Sequence, residues 1–211
     1  MLRRVTIIPL LILLLLTSVL LMGLFQLARK PAIKWKVIQI SYGLIARLMN
    51  LKIHVVGELS QQRPLLLVSN HLSYLDIPIL GSLAPMRFVP KREIADWPVI
   101  GLCCRLTDSV FVSRNKEHIK KGQEAITTAL GEALPLMLFP EATTGDGKRL
   151  LPFKPAFFDA VDKGVTLQPV AICYRRVSGL PIDSSLWPHV AWYGDMTLLP
   201  HLLHLLGLGR I

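Results

Sequence analysis

With 211 residues, the chain is long enough for one domain with a full hydrophobic core plus an anchoring segment. Hydrophobic residues make up 52% of it and the formal net charge is +10. That charge is not laid out as a basic stripe with interleaved aromatics, and no nucleic-acid reader motif accompanies it. No nucleic-acid partner is therefore expected, and anionic lipid head groups with solvated surface lysines account for the excess.

Much of the apolar excess sits at the start. Residues 5–28 carry no charge and residues 10–16 are solidly aliphatic. As a helix at about 1.5 Å per residue, this run extends about 36 Å, enough to cross a hydrocarbon core of about 30 Å. A cleaved signal peptide would have a shorter apolar region and a small-x-small cleavage site, which Leu24-Phe25-Gln26-Leu27 does not offer. Residues 1–30 are expected to form a single transmembrane anchor. Arg3 and Arg4 precede it and Arg29, Lys30, Lys34 and Lys36 follow, a bias that places the bulk of the chain on the cytoplasmic side. Residues 31–50 have apolar positions at mixed helical spacing. They read as an amphipathic helix at the membrane interface, with an ordinary domain helix as the alternative. Cys103, Cys104 and Cys173 are odd in number and lack framework spacing, which predicts reduced core thiols.

Residues 51–211 are expected to form the remaining domain. Short apolar runs at 52–56, 64–68, 109–112, 135–139 and 166–173 read as strands, and 76–83 and 116–130 as helices. This alternation predicts an α/β fold with a mainly parallel sheet flanked by helices, in which sites gather at the carboxyl ends of the strands. Asn70-His71, Arg114 and Glu141 each fall just past the end of an expected strand.

His71 and Asp76 lie in the run Asn70-His71-Leu72-Ser73-Tyr74-Leu75-Asp76. A carboxylate one helical turn beyond an imidazole can fix its tautomer and stabilise the imidazolium, leaving the other ring nitrogen as a base. Ser73 need not be a nucleophile if the substrate brings its own. The bland alternative is a helix start capped by Asn70 or Ser73, with His71 on a solvated turn. Arg114, after Val110-Phe111-Val112, reads as an anion clamp or as a surface arginine opening a helix. In Phe139-Pro140-Glu141-Ala142-Thr143-Thr144-Gly145-Asp146-Gly147, loop amides suit an anion and Glu141 a hydroxyl or cation; the alternative is a surface turn with its corner at Asp146-Gly147. His201 and His204 face one side of a helix without a third ligand, so no metal is expected.

Taken in order, Asn70-His71 with Asp76, then Arg114, then Phe139-Pro140-Glu141, then Pro169-Val170 resemble the lysophosphatidic acid acyltransferase family of membrane-bound glycerolipid acyltransferases, over residues 52–174. The resemblance implies transfer of a fatty acyl chain from acyl carrier protein or coenzyme A to the free hydroxyl of a lyso-lipid in phospholipid biosynthesis. It implies no cofactor beyond that thioester co-substrate. His71 would be the general base, Asp76 its orienting partner, and Arg114 with the loop carrying Glu141, Thr143 and Thr144 would bind the acceptor. With the anchor, it implies a bacterial inner-membrane protein whose catalytic domain faces the cytoplasm.

The third motif departs from the family pattern Phe-Pro-Glu-Gly-Thr-Arg, because Ala142 and Thr144 replace the glycine and the arginine. Ala142 would be strained if the turn needs a positive φ, and a cation suited to phosphate is lost. The longer strings from Thr143 through Lys154, and Ala191-Trp192-Tyr193-Gly194-Asp195-Met196 with Pro200-His201, resemble a bacterial branch that includes lyso-ornithine lipid acyltransferases. The expected acceptor is 1-acyl-glycerol-3-phosphate, giving phosphatidate; lyso-ornithine lipid, a lipid-thioester hydrolase and a non-catalytic lipid-binding protein on the same fold are the alternatives. Family members commonly run on past this point, so the chain is expected to be a short or C-terminally incomplete member.

Overall fold

A computed structural model describes residues 2–113, 119–159, 161 and 164–211. Strand β1 (Leu65–Ser69) is an apolar run with its first three leucines buried, and it occupies the middle of a four-stranded sheet. Its neighbours are β3 (Leu136–Leu138) on one side and β4 (Thr166–Val170) on the other, and β2 (Arg87–Phe88) pairs with the outer edge of β3. All three pairings are parallel, with Leu66 opposite Leu136 and Leu167. Alternate side chains of a strand point to opposite faces, and a parallel sheet is covered on both. Leu66, Leu136 and Leu138 accordingly pack on Ile126, Ala129 and Leu130 of α5 (Ile119–Leu130). On the other face Leu65, Leu67 and Met137 pack on Leu80 of α3 (Asp76–Leu83).

The parallel α/β architecture and the helix at 76–83 are as the sequence predicts. Three expected strands change. Residues 52–56 form none, and Val55 and Val56 are exposed, because no sheet edge reaches them. Residues 110–112 run beside β2, with the Val110 amide on the Phe88 carbonyl at 2.9 Å, but make only one isolated bridge, Lys91 with Val112. Strand β4 stops at Val170, beyond which the Asn70 side chain takes over the pairing. Cys173, expected in the core, is exposed. Helix α4 (Pro98–Leu106) was not legible in the sequence pattern. Residues 116–118 of the expected second helix lie outside the described residues.

The N-terminal segments form a helical hairpin, α1 (Leu2–Leu27) and α2 (Pro31–Leu48). Residues Arg3–Leu27 have a mean hydropathy of 2.8 and are long and apolar enough to cross a membrane. The hairpin is closed by a hydrogen bond between the hydroxyls of Ser18 and Ser41 at 2.8 Å. Helix α2 is a domain helix on its other side: Gly81 of α3 lies so close to Tyr42 that a Cβ there would overlap the ring. Buried Lys34 pairs with Asp108 at 2.7 Å. Helix α1 is held at both ends. Ile7 packs with Met49, Leu205 and Leu206, and Met22 packs with Trp35, Ile38 and Leu106. Arg4 donates to the His204 carbonyl at 3.4 Å. That end of α1 thus rests on α6 (Leu198–Leu205).

Candidate active site

The end of β1 delivers Asn70 and His71 to the carboxyl edge of the sheet. Asn70 is fixed across the β1–β4 junction: its amide donates to the Ile172 carbonyl at 3.0 Å and its oxygen accepts the Ile172 amide at 2.8 Å. Both backbone groups of His71 are held by the loop that follows β3. Its N–H donates to Oε1 of Glu141 at 2.8 Å, and its carbonyl accepts the Gly145 amide at 2.8 Å. The imidazole stacks on the Phe139 ring with centroids 4.0 Å apart and planes 14° from parallel.

Nδ1 of His71 lies 2.7 Å from Oδ2 of Asp76. That oxygen also accepts the amides of Leu72 at 2.7 Å and Ser73 at 3.1 Å, while Oδ1 accepts the Tyr174 hydroxyl at 2.6 Å. Asp76 has no exposed surface. A buried charge is tolerated where hydrogen-bond donors surround it, and each of these backbone and phenol partners donates. Burial, followed by the nearby Asp76 charge, pushes the Tyr174 phenol well above its ordinary value, so it stays protonated. Nδ1 therefore carries the hydrogen and Nε2 keeps its lone pair, with no partner among the described residues, on a ring whose side chain is 19% exposed. This arrangement can accept a proton from a bound hydroxyl. The capping alternative does not describe it: the residue before α3 is Leu75, without a side-chain cap, and Asn70 is engaged with Ile172. Ser73 is fully buried, out of a substrate's reach, and its hydroxyl finds no partner among the described residues.

Glu141 is 3% exposed, and its two oxygens accept the His71 and Leu151 amides at 2.8 Å each. Its carboxylate spans two stretches of backbone and holds the His71 amide in place. Ala142 has a φ of 63° and is buried. It takes the left-handed conformation that the family's glycine would adopt freely, at a cost of roughly 1–2 kcal/mol. Thr143 is exposed and Thr144 half-buried on the same turn, and Gly147, also at positive φ, forms the expected corner. Arg114 lies outside the described residues. His201 and His204 have separate partners. His201 bonds Tyr74 at 3.0 Å and the Pro188 carbonyl at 3.2 Å, and His204 bonds His189 at 2.8 Å. Tyr174 is the residue the sequence reading missed. It is 98 positions from Asp76, and no local spacing connects them.

The Acyltransferase family profile matches residues 51–173, a stretch holding the sheet, His71, Asp76 and Glu141. The chain belongs to the acyltransferase family. It is 41% identical over 177 residues to a lyso-ornithine lipid O-acyltransferase of Brucella abortus, an alignment covering 80% of this chain and 66% of that protein. It is 35% identical over 148 residues to a 1-acyl-sn-glycerol-3-phosphate acyltransferase of Neisseria meningitidis, covering 68% of this chain and 57% of the other. The chain thus spans about two thirds or less of the length of these curated relatives. Its fold is that of the crystal structure of the 1-acyl-sn-glycerophosphate acyltransferase from Thermotoga maritima. The TM-score is 0.50 at 19% identity, over 75% of this chain and 70% of that one. Tyr174 lies one residue beyond the family match.

Proposed function

We propose that the chain is a lyso-lipid O-acyltransferase that moves a fatty acyl group from a thioester, on acyl carrier protein or coenzyme A, to the free hydroxyl of a membrane lyso-lipid. The observation that carries this reading is the His71–Asp76 pair, whose Nδ1–H is committed to a buried carboxylate while Nε2 stays open. The acceptor oxygen attacks the thioester carbonyl carbon as Nε2 removes its proton. The tetrahedral intermediate collapses, the C–S bond breaks, and the imidazolium returns its proton to the departing thiolate. Asp76 steadies the transient imidazolium throughout. Arg114, Thr143 and Thr144 are assigned to the acceptor head group, and Glu141 to holding His71 in place.

Lyso-ornithine lipid is the acceptor we favour, a reversal of the expectation of 1-acyl-glycerol-3-phosphate. Relatives at 41% and 40% identity, from Brucella abortus and Rhizobium meliloti, are lyso-ornithine lipid O-acyltransferases. Thr144 also stands where a phosphate reader would carry arginine. The Neisseria relative supports 1-acyl-glycerol-3-phosphate as the second reading. The test offers purified protein a labelled acyl thioester and equal amounts of the two lyso-lipids. Predominance of the diacylated ornithine lipid is expected, and predominance of phosphatidate would reverse the assignment. Labelled free acid alone would mark a hydrolase, and no product an inert binding protein.

For the membrane, we favour a hairpin embedded alongside the domain over a crossing anchor. Exposed Leu13, Leu16, Leu20 and Leu24 of α1 supply the lipid-facing surface, and the domain packs against both ends of the same helix. Cysteines placed at Arg4 and at Arg29 should react with a membrane-impermeant thiol reagent from the same side of sealed vesicles. Labelling from opposite sides would restore the crossing helix.

A further inference from the structure

We propose that Tyr174 is a positioning residue for the catalytic pair, its phenol setting the orientation and effective charge of Asp76 and, through Asp76, the basicity of His71. The proposal rests on the acyl-transfer reading above and deepens it. The phenol donates to Oδ1 of Asp76 at 2.6 Å, on the carboxylate oxygen that the imidazole and the two amides do not use. Both groups are buried, so removing the phenol would leave an anionic oxygen facing neither water nor a donor.

The phenol is held where it must act. Two residues earlier, Ile172 is locked to Asn70 by a reciprocal pair of hydrogen bonds, and Asn70 directly precedes His71. The Tyr174 ring meets Trp187 edge-on with centroids 6.3 Å apart, and packs in the cluster containing Leu72, Leu75 and Leu205. The segments carrying His71 and Tyr174 are therefore tied together through Asn70 and Ile172, and the carboxylate is gripped at both oxygens.

A donor on Oδ1 draws off part of the carboxylate's charge. Asp76 with that donor in place attracts an imidazolium less strongly than it would without it, so removing the donor is expected to tighten the ring's hold on a proton. Whichever atom of the pair takes the proton, removing a donor that favours the proton-poor form strengthens the pair's hold on it.

The experiment compares wild type, Tyr174→Phe and protein carrying 3-fluorotyrosine at position 174, whose phenol is a stronger donor of nearly the same shape. The acid limb of kcat/KM against pH, the titration of the His71 ring by NMR, and Tm are measured on each full-length protein in lipid vesicles. For Tyr174→Phe the acid limb and the ring titration should move upward by about one pH unit, the scale of one lost hydrogen bond to a charge. For the fluorinated protein both should move downward. Unmoved midpoints with a merely slower or less stable enzyme would reduce Tyr174 to a packing residue and overturn the proposal. If Tyr174→Phe fails to fold, the fluorinated protein decides alone, and an unmoved or upward shift there is equally fatal. The ring titration needs no turnover. A chain without transferase activity would thus defeat the acyl-transfer reading separately, whereas coupling lost in an active enzyme would defeat only this one.

Discussion

His71 and His204 are each held by a ring-nitrogen hydrogen bond of similar length, 2.7 Å to Asp76 and 2.8 Å to His189, yet the two pairs are chemically unlike. Two imidazoles can bond in either sense, because each ring has one donor and one acceptor nitrogen when neutral. His204 is exposed, and partial burial followed by the charge of its neighbours His189 and Arg4 pushes its ring below the ordinary value. Asp76 is fully buried and held by donors, so the bond from His71 has one sense only. A histidine becomes a directed base when its partner can only accept and is itself fixed. Proximity of polar groups is not enough.

The sharpest way to break this contrast is to remove each ring in turn. His71→Ala should lower kcat/KM by about 100-fold or more, the scale of a general base, with little change in Tm, since the ring is partly exposed. His204→Ala should leave activity within about twofold, as for a group outside the reacting atoms. Equal losses from the two, measured with one acyl donor and one acceptor, would erase the distinction.

Asp76→Asn tests the sense of the bond. The amide keeps the size of the carboxylate but brings an NH2 group against the Leu72 and Ser73 amides or against Nδ1. Either the ring loses its required tautomer or a buried donor loses its partner, so a loss of about 100-fold in kcat together with a lowered Tm is expected. Retained kcat with only the Tm lowered would show that Asp76 braces the turn without directing His71.

The loop behind His71 gives a smaller effect of opposite sign. Ala142→Gly relieves the left-handed conformation at φ 63° and should stabilise the protein by roughly 1 kcal/mol, a rise in Tm of about 2–4 °C for a chain of this size. Activity should not fall. A lowered Tm would mean that packing of the buried methyl outweighs the backbone term.

The smallest effect concerns the second histidine group. Burial is the first cause holding the His201 ring below its ordinary value of 6.5. Its Nε2–H donates to the Pro188 carbonyl, so Nδ1 accepts from the Tyr74 hydroxyl, and protonation would oblige that hydroxyl to turn and accept instead. With the folded value depressed, the unfolded chain takes up the proton first. The stabilising contribution is complete above about pH 6.5 and is lost as pH falls through the lower folded value. Tm measured from pH 8 to pH 5 should decline on the acid side, and His201→Gln should decline less. A steeper decline in the variant would contradict the sign.

Much of the site was legible because its parts are local. An apolar run followed by a polar turn placed His71 at the end of β1, and five positions of separation put Asp76 on the first turn of α3. Ala142 in a glycine position announced the strained turn now seen at φ 63°. Glu141 is legible as a polar residue just past β3, but which amides its carboxylate meets depends on two other segments, at His71 and Leu151. Strand β2 escaped notice because it is two residues long and carries Arg87, a charge buried by pairing with Glu132 and by donating to the Ala129 carbonyl.

The sequence by itself determined the α/β alternation, the parallel sheet and the His71–Asp76 spacing. Side-chain periodicity and turn chemistry act over a few residues and leave their mark there. Only the tertiary structure decided that Tyr174 reaches Asp76, that Ile172 (through Asn70) and Glu141 clamp the turn from two other segments, and that α1 rests on α6 at its charged end. Those contacts join residues from about 70 to 200 positions apart, where short-range hydrogen bonds and close packing depend on how the sheet and helices have already brought the chain together.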